Sequence, residues 1–144
     1  MSQEFNKCLE RGKIKRFTPG PKLVKKELRL AEEDLQTSLK SLAEENYKWS
    51  IIQSYYAMFH SARALIYSKE YREKSHFCLI EGVRTLFVET GKLNVLLIEA
   101  LLEAKNLREV ADYYGDFSEI NCKKLTKKAK DLLKAAKKII TNHK

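Results

Sequence analysis

The chain has 144 residues, 44% of them hydrophobic and 33% charged, with a net charge of +9. That length holds one domain with a real core, and 5 Gly and 2 Pro suit a compact, helix-rich chain. No stretch is long and apolar enough to span a bilayer, and the opening Met-Ser-Gln-Glu-Phe-Asn-Lys-Cys lacks a secretory apolar region, so a soluble, cytoplasmic protein is expected.

Residues 1–20 read as a basic N-terminal arm with weak periodicity, and residues 21–144 as a helical bundle. A short helix over Gln3–Arg11 is possible within the arm. Pro19 and Pro21 bracket a turn, and Pro21 suits the first position of the next helix. The first long helix runs from Lys22 to Glu44, with Leu28, Ala31, Leu35, Leu39 and Leu42 as its buried stripe. A short connection, Glu45 to Lys48, predicts an antiparallel second helix.

That second helix, Trp49 to Ser68, organises the chain. Trp49, Ile52, Tyr56, Phe59, Arg63 and Ile66 recur on one face, widened by Ile51, Tyr55, Met58, Ala62 and Leu65. Ser54, Ala57, Ser61, Ala64 and Ser68 form a small-residue stripe behind it. A helix apolar in front and small behind is packed on both sides, which predicts a central position. Arg63 within the apolar face requires a carboxylate or carbonyl partner, and His60 sits at its edge. Satisfied core residues and members of a functional pocket are equally weighted readings of this pair.

Lys69–Lys74 reads as a charged loop. Ser75 caps a third helix, His76–Thr90, which Gly91 stops; Asn94 caps a fourth, from Val95 to Val110 or Tyr114. Gly115-Asp116-Phe117 breaks the chain, and Ser118 caps a fifth helix reaching Thr141. Leu125, Ala129, Leu132, Ala136 and Ile139 face inward there, with Lys123, Lys127, Lys130, Lys134 and Lys137 outward. No strand alternation or internal repeat interrupts the pattern. The fold class is all-α, an up-and-down bundle of four to five helices.

Cys8, Cys78 and Cys122 are odd in number, far apart and without metal-ligand spacing, so reduced thiols are expected. With only His60, His76 and His143, no zinc site and no cofactor is expected. Charge is concentrated at the ends. Met1–Lys26 carries eight Lys/Arg against two Glu, net +6; Asn121–Lys144 carries nine Lys against one Asp, net +8; the middle is left at −5. Basic ends permit an acidic partner or nucleic acid, although a solvated face is the common meaning of a lysine row.

A polar cluster closes the fourth helix. Arg108 and Asp112 are four apart and can pair; Tyr113, Tyr114 and Phe117 lie beside them. A surface ion pair is the bland reading, and an Arg–aromatic platform for a base is the functional one.

The order of features resembles the HEPN domain. The matching residues are Ser54-Tyr55-Tyr56-Ala57-Met58-Phe59-His60-Ser61-Ala62-Arg63-Ala64-Leu65, Tyr71 to His76, the Glu89 to Leu93 turn, and Arg108…Ala111-Asp112-Tyr113 before Gly115-Asp116-Phe117. The match covers about Lys22 to Ile140 and is nearest to small stand-alone prokaryotic members. The resemblance implies a four- to five-helix bundle, often a homodimer, that acts beside a minimal nucleotidyltransferase in a toxin–antitoxin or defence pair. It also implies that active members are metal-independent ribonucleases, with an Arg followed after four to six residues by a His at a cleft shared between two copies. Here Tyr113 stands where that His would be, and Gly115 where a Tyr often follows.

The expectation is therefore a nucleotide-, RNA- or partner-binding protein without strong catalysis. Its binding residues are Arg108, Asp112, Tyr113 and Tyr114, with Arg63 and Tyr56. An active ribonuclease, with Arg108 and either His60 or His76 as catalytic candidates, and a scaffold without nucleic acid remain the alternatives.

Overall fold

A computed structural model describes residues 2–114 and 117–142, with the backbone alone over 110–114. Six helices and one two-stranded ribbon follow in order: α1 Gln3–Glu10, β1 Ile14–Arg16, α2 Gly20–Ala43, α3 Tyr47–Ser68, β2 Tyr71–Glu73, α4 His76–Val83, a π-helical turn Arg84–Val88, α5 Val95–Tyr114 and α6 Glu119–Thr141. The all-α bundle is as predicted, and α3 packs against α2, α4, α5 and α6. Among the described residues no helix is long and apolar enough to cross a membrane.

Most of the predicted surface of α3 is buried on both sides, Ile66 included, but one edge of it is not. Ile51, Tyr55, Met58, Ala62 and Leu65 are buried, and so are the small residues Ser50, Ser54, Ala57, Ser61 and Ala64. Trp49, by contrast, is 52% exposed, and Ile52, Tyr56, Phe59 and Arg63 are half-buried. The small stripe decides this, because it lets α2 approach closely. Ser38 Oγ meets Ser54 Oγ at 2.8 Å, and Ser50 Oγ donates to the Ser38 carbonyl at 2.7 Å. On α2 the buried residues are accordingly Val24, Glu27, Ala31, Leu35, Ser38 and Ser41, while Leu28, Leu39 and Leu42 are only partly buried.

Gly20 is needed at the start of α2. A Cβ there would stand 2.5 Å from the Tyr67 carbonyl oxygen at the end of α3. Pro21 lies in the first turn, as expected. Three predicted caps are present: Ser75 Oγ accepts from the Cys78 N–H at 3.2 Å, Asn94 Oδ1 from the Leu96 N–H at 2.9 Å, and Ser118 Oγ from the Asn121 N–H at 3.1 Å. The predicted third helix divides, α-helical to Val83 and then π-helical, and the Glu89 N–H reaches the Arg84 carbonyl at 2.9 Å.

Residues 2–20 lie on the bundle. Phe5, Cys8 and Ile14 are buried, and Phe5 meets Tyr71 edge-on with centroids 5.7 Å apart. β1 pairs antiparallel with β2, where a charged loop was expected, in the register Ile14↔Glu73, Lys15↔Arg72 and Arg16↔Tyr71. Two strands of three residues are too short to show an alternation in sequence. The cysteine expectation is also corrected, because Cys8 and Cys78 form a disulfide, with Cα atoms 5.8 Å apart across 70 residues. The packing of α1 on α4 brings them together. Cys122 is a buried thiol.

Candidate functional site

Two linked clusters line one side of α3. The first answers the requirement of Arg63 for a partner. Its Nη2 donates to Glu73 Oε2 at 2.7 Å and its Nε to both Glu73 oxygens at 3.3 Å. Nη1 stands 3.8 Å from Glu27 Oε1, and the guanidinium carbon lies 4.5 Å from the Phe59 ring centroid. Glu27 binds His60 in turn, Oε2 to Nδ1 at 2.5 Å, and His60 Nε2 faces Asp34 at 3.7 Å. The chain Glu73–Arg63–Glu27–His60–Asp34 therefore joins β2, α3 and α2. Glu27 and Glu73 are nearly buried, so Arg63 neutralises charges that could not stand there alone. Arg63 and His60 thus both have carboxylate partners that tie α3 to α2 and β2.

The second cluster lies across Phe59. Its ring centroid is 5.3 Å from that of His76 and 5.4 Å from that of His60, so Phe59 separates the two histidines. Tyr55, 1% exposed, carries its hydroxyl to the edge of His76, 2.9 Å from Nδ1 and 3.2 Å from Nε2. Arg108 reaches across from α5, and its guanidinium carbon is 5.1 Å from the Tyr55 ring centroid and 5.2 Å from that of Tyr56. Among the described residues no carboxylate pairs with it. The predicted partner Asp112, with Tyr113 and Tyr114, lies outside the residues whose side chains are described. Between the clusters, Phe59, Arg63, Glu73, Lys74, Ser75 and His76 line a cavity of about 220 Å3.

The electrostatics separate the roles. Burial pushes the Tyr55 hydroxyl up to about 12, against the pull of Arg108, so it keeps its proton. Burial, then Lys105 and Arg108, hold His76 below an ordinary imidazole. His76 is therefore neutral at pH 7 and shares a hydrogen bond with the Tyr55 hydroxyl whose direction its tautomer sets. Neutral imidazole, cationic Arg and half-buried aromatic rings together suit an anionic, base-bearing ligand.

The structure thus brings together Arg108, Tyr56 and His76 of the predicted residues. Tyr55 and Phe59 complete the group, and sequence reasoning had assigned both to packing alone. Glu27 was missed, although it falls in step between Val24 and Ala31 on the buried face of α2. A carboxylate at a core position opposite a core Arg is the signal that would have found it.

A family model described as the HEPN domain matches residues 24–143. Two proteins of Methanocaldococcus jannaschii, each bearing the name "Putative toxin", are similar. One is 35% identical over 83 residues, covering 58% of this chain and 56% of the relative; the other is 32% identical over 89 residues, covering 62% and 66%. The chain therefore spans between half and two thirds of these two relatives. A UPF0332 protein of Thermotoga maritima is 30% identical over 114 residues, 78% of this chain and 86% of the relative.

Proposed function

This chain belongs to the HEPN domain family, and from that premise we propose that it binds RNA or a nucleotide in the cleft between α3, α4 and α5, as one component of a toxin-like module. The observation that carries the reading is the Arg108 guanidinium on the rings of Tyr55 and Tyr56, beside a neutral His76. Stacking leaves the in-plane donors of an Arg available to a phosphate. Tyr56, half-buried, carries Arg108 over its ring, and a base would stack on the side that Arg108 leaves. The toxin-like setting rests on the names of the two Methanocaldococcus relatives. A minimal nucleotidyltransferase as partner follows from the family resemblance, and a homodimer is proposed from the half-exposed edge of α3 at Trp49, Ile52, Tyr56 and Phe59.

One observation favours a second reading, a metal-independent ribonuclease. His76 stands beside Arg108 in place of the His missing at Tyr113, and its neutral form accepts a proton. In that reading His76 takes the proton of a ribose 2′-hydroxyl while Arg108 holds the phosphate. Incubation of the purified protein with total RNA in EDTA separates the two. Intact RNA, bound by the wild type and at least about tenfold more weakly by Arg108→Lys, supports binding. Cleavage that His76→Ala abolishes supports the ribonuclease. Neither binding nor cleavage overturns both.

A further inference from the structure

The β1–β2 ribbon crowds cations that the fold does not neutralise. Side chains opposite each other in an antiparallel pair share a face, so Lys15 and Arg72 stand side by side on the exposed face. Lys13 and Lys74 extend this row, because the Lys74 N–H donates to the Lys13 carbonyl at 2.8 Å. None of these four pairs with a carboxylate among the described residues. Arg16 differs, since it pairs with Glu70 at 3.2 Å. Glu73, the acid within the strand pair, points inward to Arg63. Lys15 lowers the pKa of Lys74 below the ordinary lysine range, with Lys13 and Arg72 adding to the effect. Like charges facing each other across a ribbon cost stability, and a bound polyanion would offset that cost.

The surroundings point to the class of anion. Lys15, Arg16, Phe17, Arg72, Glu73 and Lys74 line a concavity of about 590 Å3, and Arg72 lies over the Phe17 ring at 5.3 Å. This concavity shares Glu73 and Lys74 with the cavity that holds Arg63 and His76, so the two adjoin. We propose that the β1–β2 ribbon is a phosphate track for single-stranded RNA, leading the strand into the cleft at His76 and Arg108. The inference extends the cleft reading and rests on it. Cations on a short ribbon engage consecutive phosphates, while stacking surfaces farther along take the bases.

The test compares the wild type with Lys13→Gln/Lys15→Gln, two row cations that do not line the cleft cavity, using a labelled single-stranded RNA of about twelve nucleotides and a labelled dinucleotide. Fluorescence anisotropy is read from about 50 to 200 mM salt. For the longer RNA the double variant should bind about tenfold or more weakly at low salt, and its log–log salt slope should shrink by about 1.4, roughly 0.7 for each cation removed. Dinucleotide binding should stay unchanged. Melting temperature should hold or rise, because a repulsion is removed, and Lys13→Arg/Lys15→Arg should restore RNA binding. An unchanged affinity and slope for the longer RNA overturns the track. Tighter binding of a polyglutamate of equal length than of the RNA overturns it in favour of an acidic protein partner. Failure of the cleft reads out separately, as dinucleotide binding that ignores Arg108→Lys.

Discussion

Arg108 keeps its place by lying on two tyrosine rings, and that geometry makes the least disruptive substitution informative. Arg108→Lys retains the charge but loses the planar group that stacks and the fork that matches a phosphate. Nucleotide or RNA affinity should fall about tenfold or more, on the scale of one lost charge-assisted bidentate contact, while melting temperature stays near wild type. A lowered melting temperature with normal binding by the folded fraction would assign Arg108 to the fold instead. His76 supports a second prediction, on pH. Its pKa in the folded chain lies below the ordinary 6.5. Between those two values the unfolded chain binds more protons, so the contribution of His76 to stability is full above pH 6.5 and is lost as pH falls through the folded value. Burial raises the carboxyl of Asp34, which acts in the opposite sense. The measurement is therefore the difference in melting temperature between wild type and His76→Gln on descending from pH 8 to pH 5. The wild type should lose more, because Gln can still hydrogen-bond Tyr55 in either direction but does not charge.

At the scale of elements, what was legible depended on how local its cause is. Helix ends were readable because Ser75, Asn94 and Ser118 act within three residues of themselves. The bundle was readable because helical periodicity repeats every turn. The half-exposed edge of α3 was not, since large residues lie on two adjoining arcs and only the approach of α2 selects between them. The ribbon and the disulfide were hidden for a related reason: each joins segments far apart in sequence, Ile14 to Glu73 and Cys8 to Cys78. The same holds at the site, where Arg108 could be singled out alone but its stack on Tyr55 and Tyr56 depends on how α5 crosses α3. Two substitutions test these packings. Gly20→Ala sets a methyl against the Tyr67 carbonyl, a backbone atom that cannot rotate away, and should cost about 1–3 kcal/mol in chemical denaturation. Cys8→Ser opens a long covalent loop and should cost about 2–4 kcal/mol under oxidising conditions, a difference that vanishes in reductant.

At the scale of the whole molecule, two basic regions differ in how they are held. On α6, Lys123, Lys127 and Lys137 pair with Glu119, Asp131 and Glu32, which is how a solvated helix face looks. The ribbon cations have no such partners among the described residues. Lys123→Gln/Lys127→Gln on α6 should therefore leave RNA affinity within about twofold, on the scale of a few tenths of a kcal/mol. A loss equal to that of the ribbon variant would move the nucleic-acid surface to α6.

The edge of α3 supports the last prediction. Trp49 is 52% exposed, and Ile52, Tyr56 and Phe59 continue the same helical face, half-buried, toward Arg63. A Trp at the outer end of an aromatic row is more than a lone exposed apolar residue, because such a row resembles the anchor of an interface. The row also ends at the cleft, so a second copy seated on it would bring two clefts side by side. Light scattering at micromolar concentration should give the mass of a dimer. Trp49→Glu should convert it to a monomer without lowering the melting temperature of the fold, since the side chain packs little within one chain. If the clefts act as a pair, RNA affinity should fall about tenfold in the monomeric variant. A monomeric wild type, or a dimer that tolerates a carboxylate at position 49, would place the function within one copy.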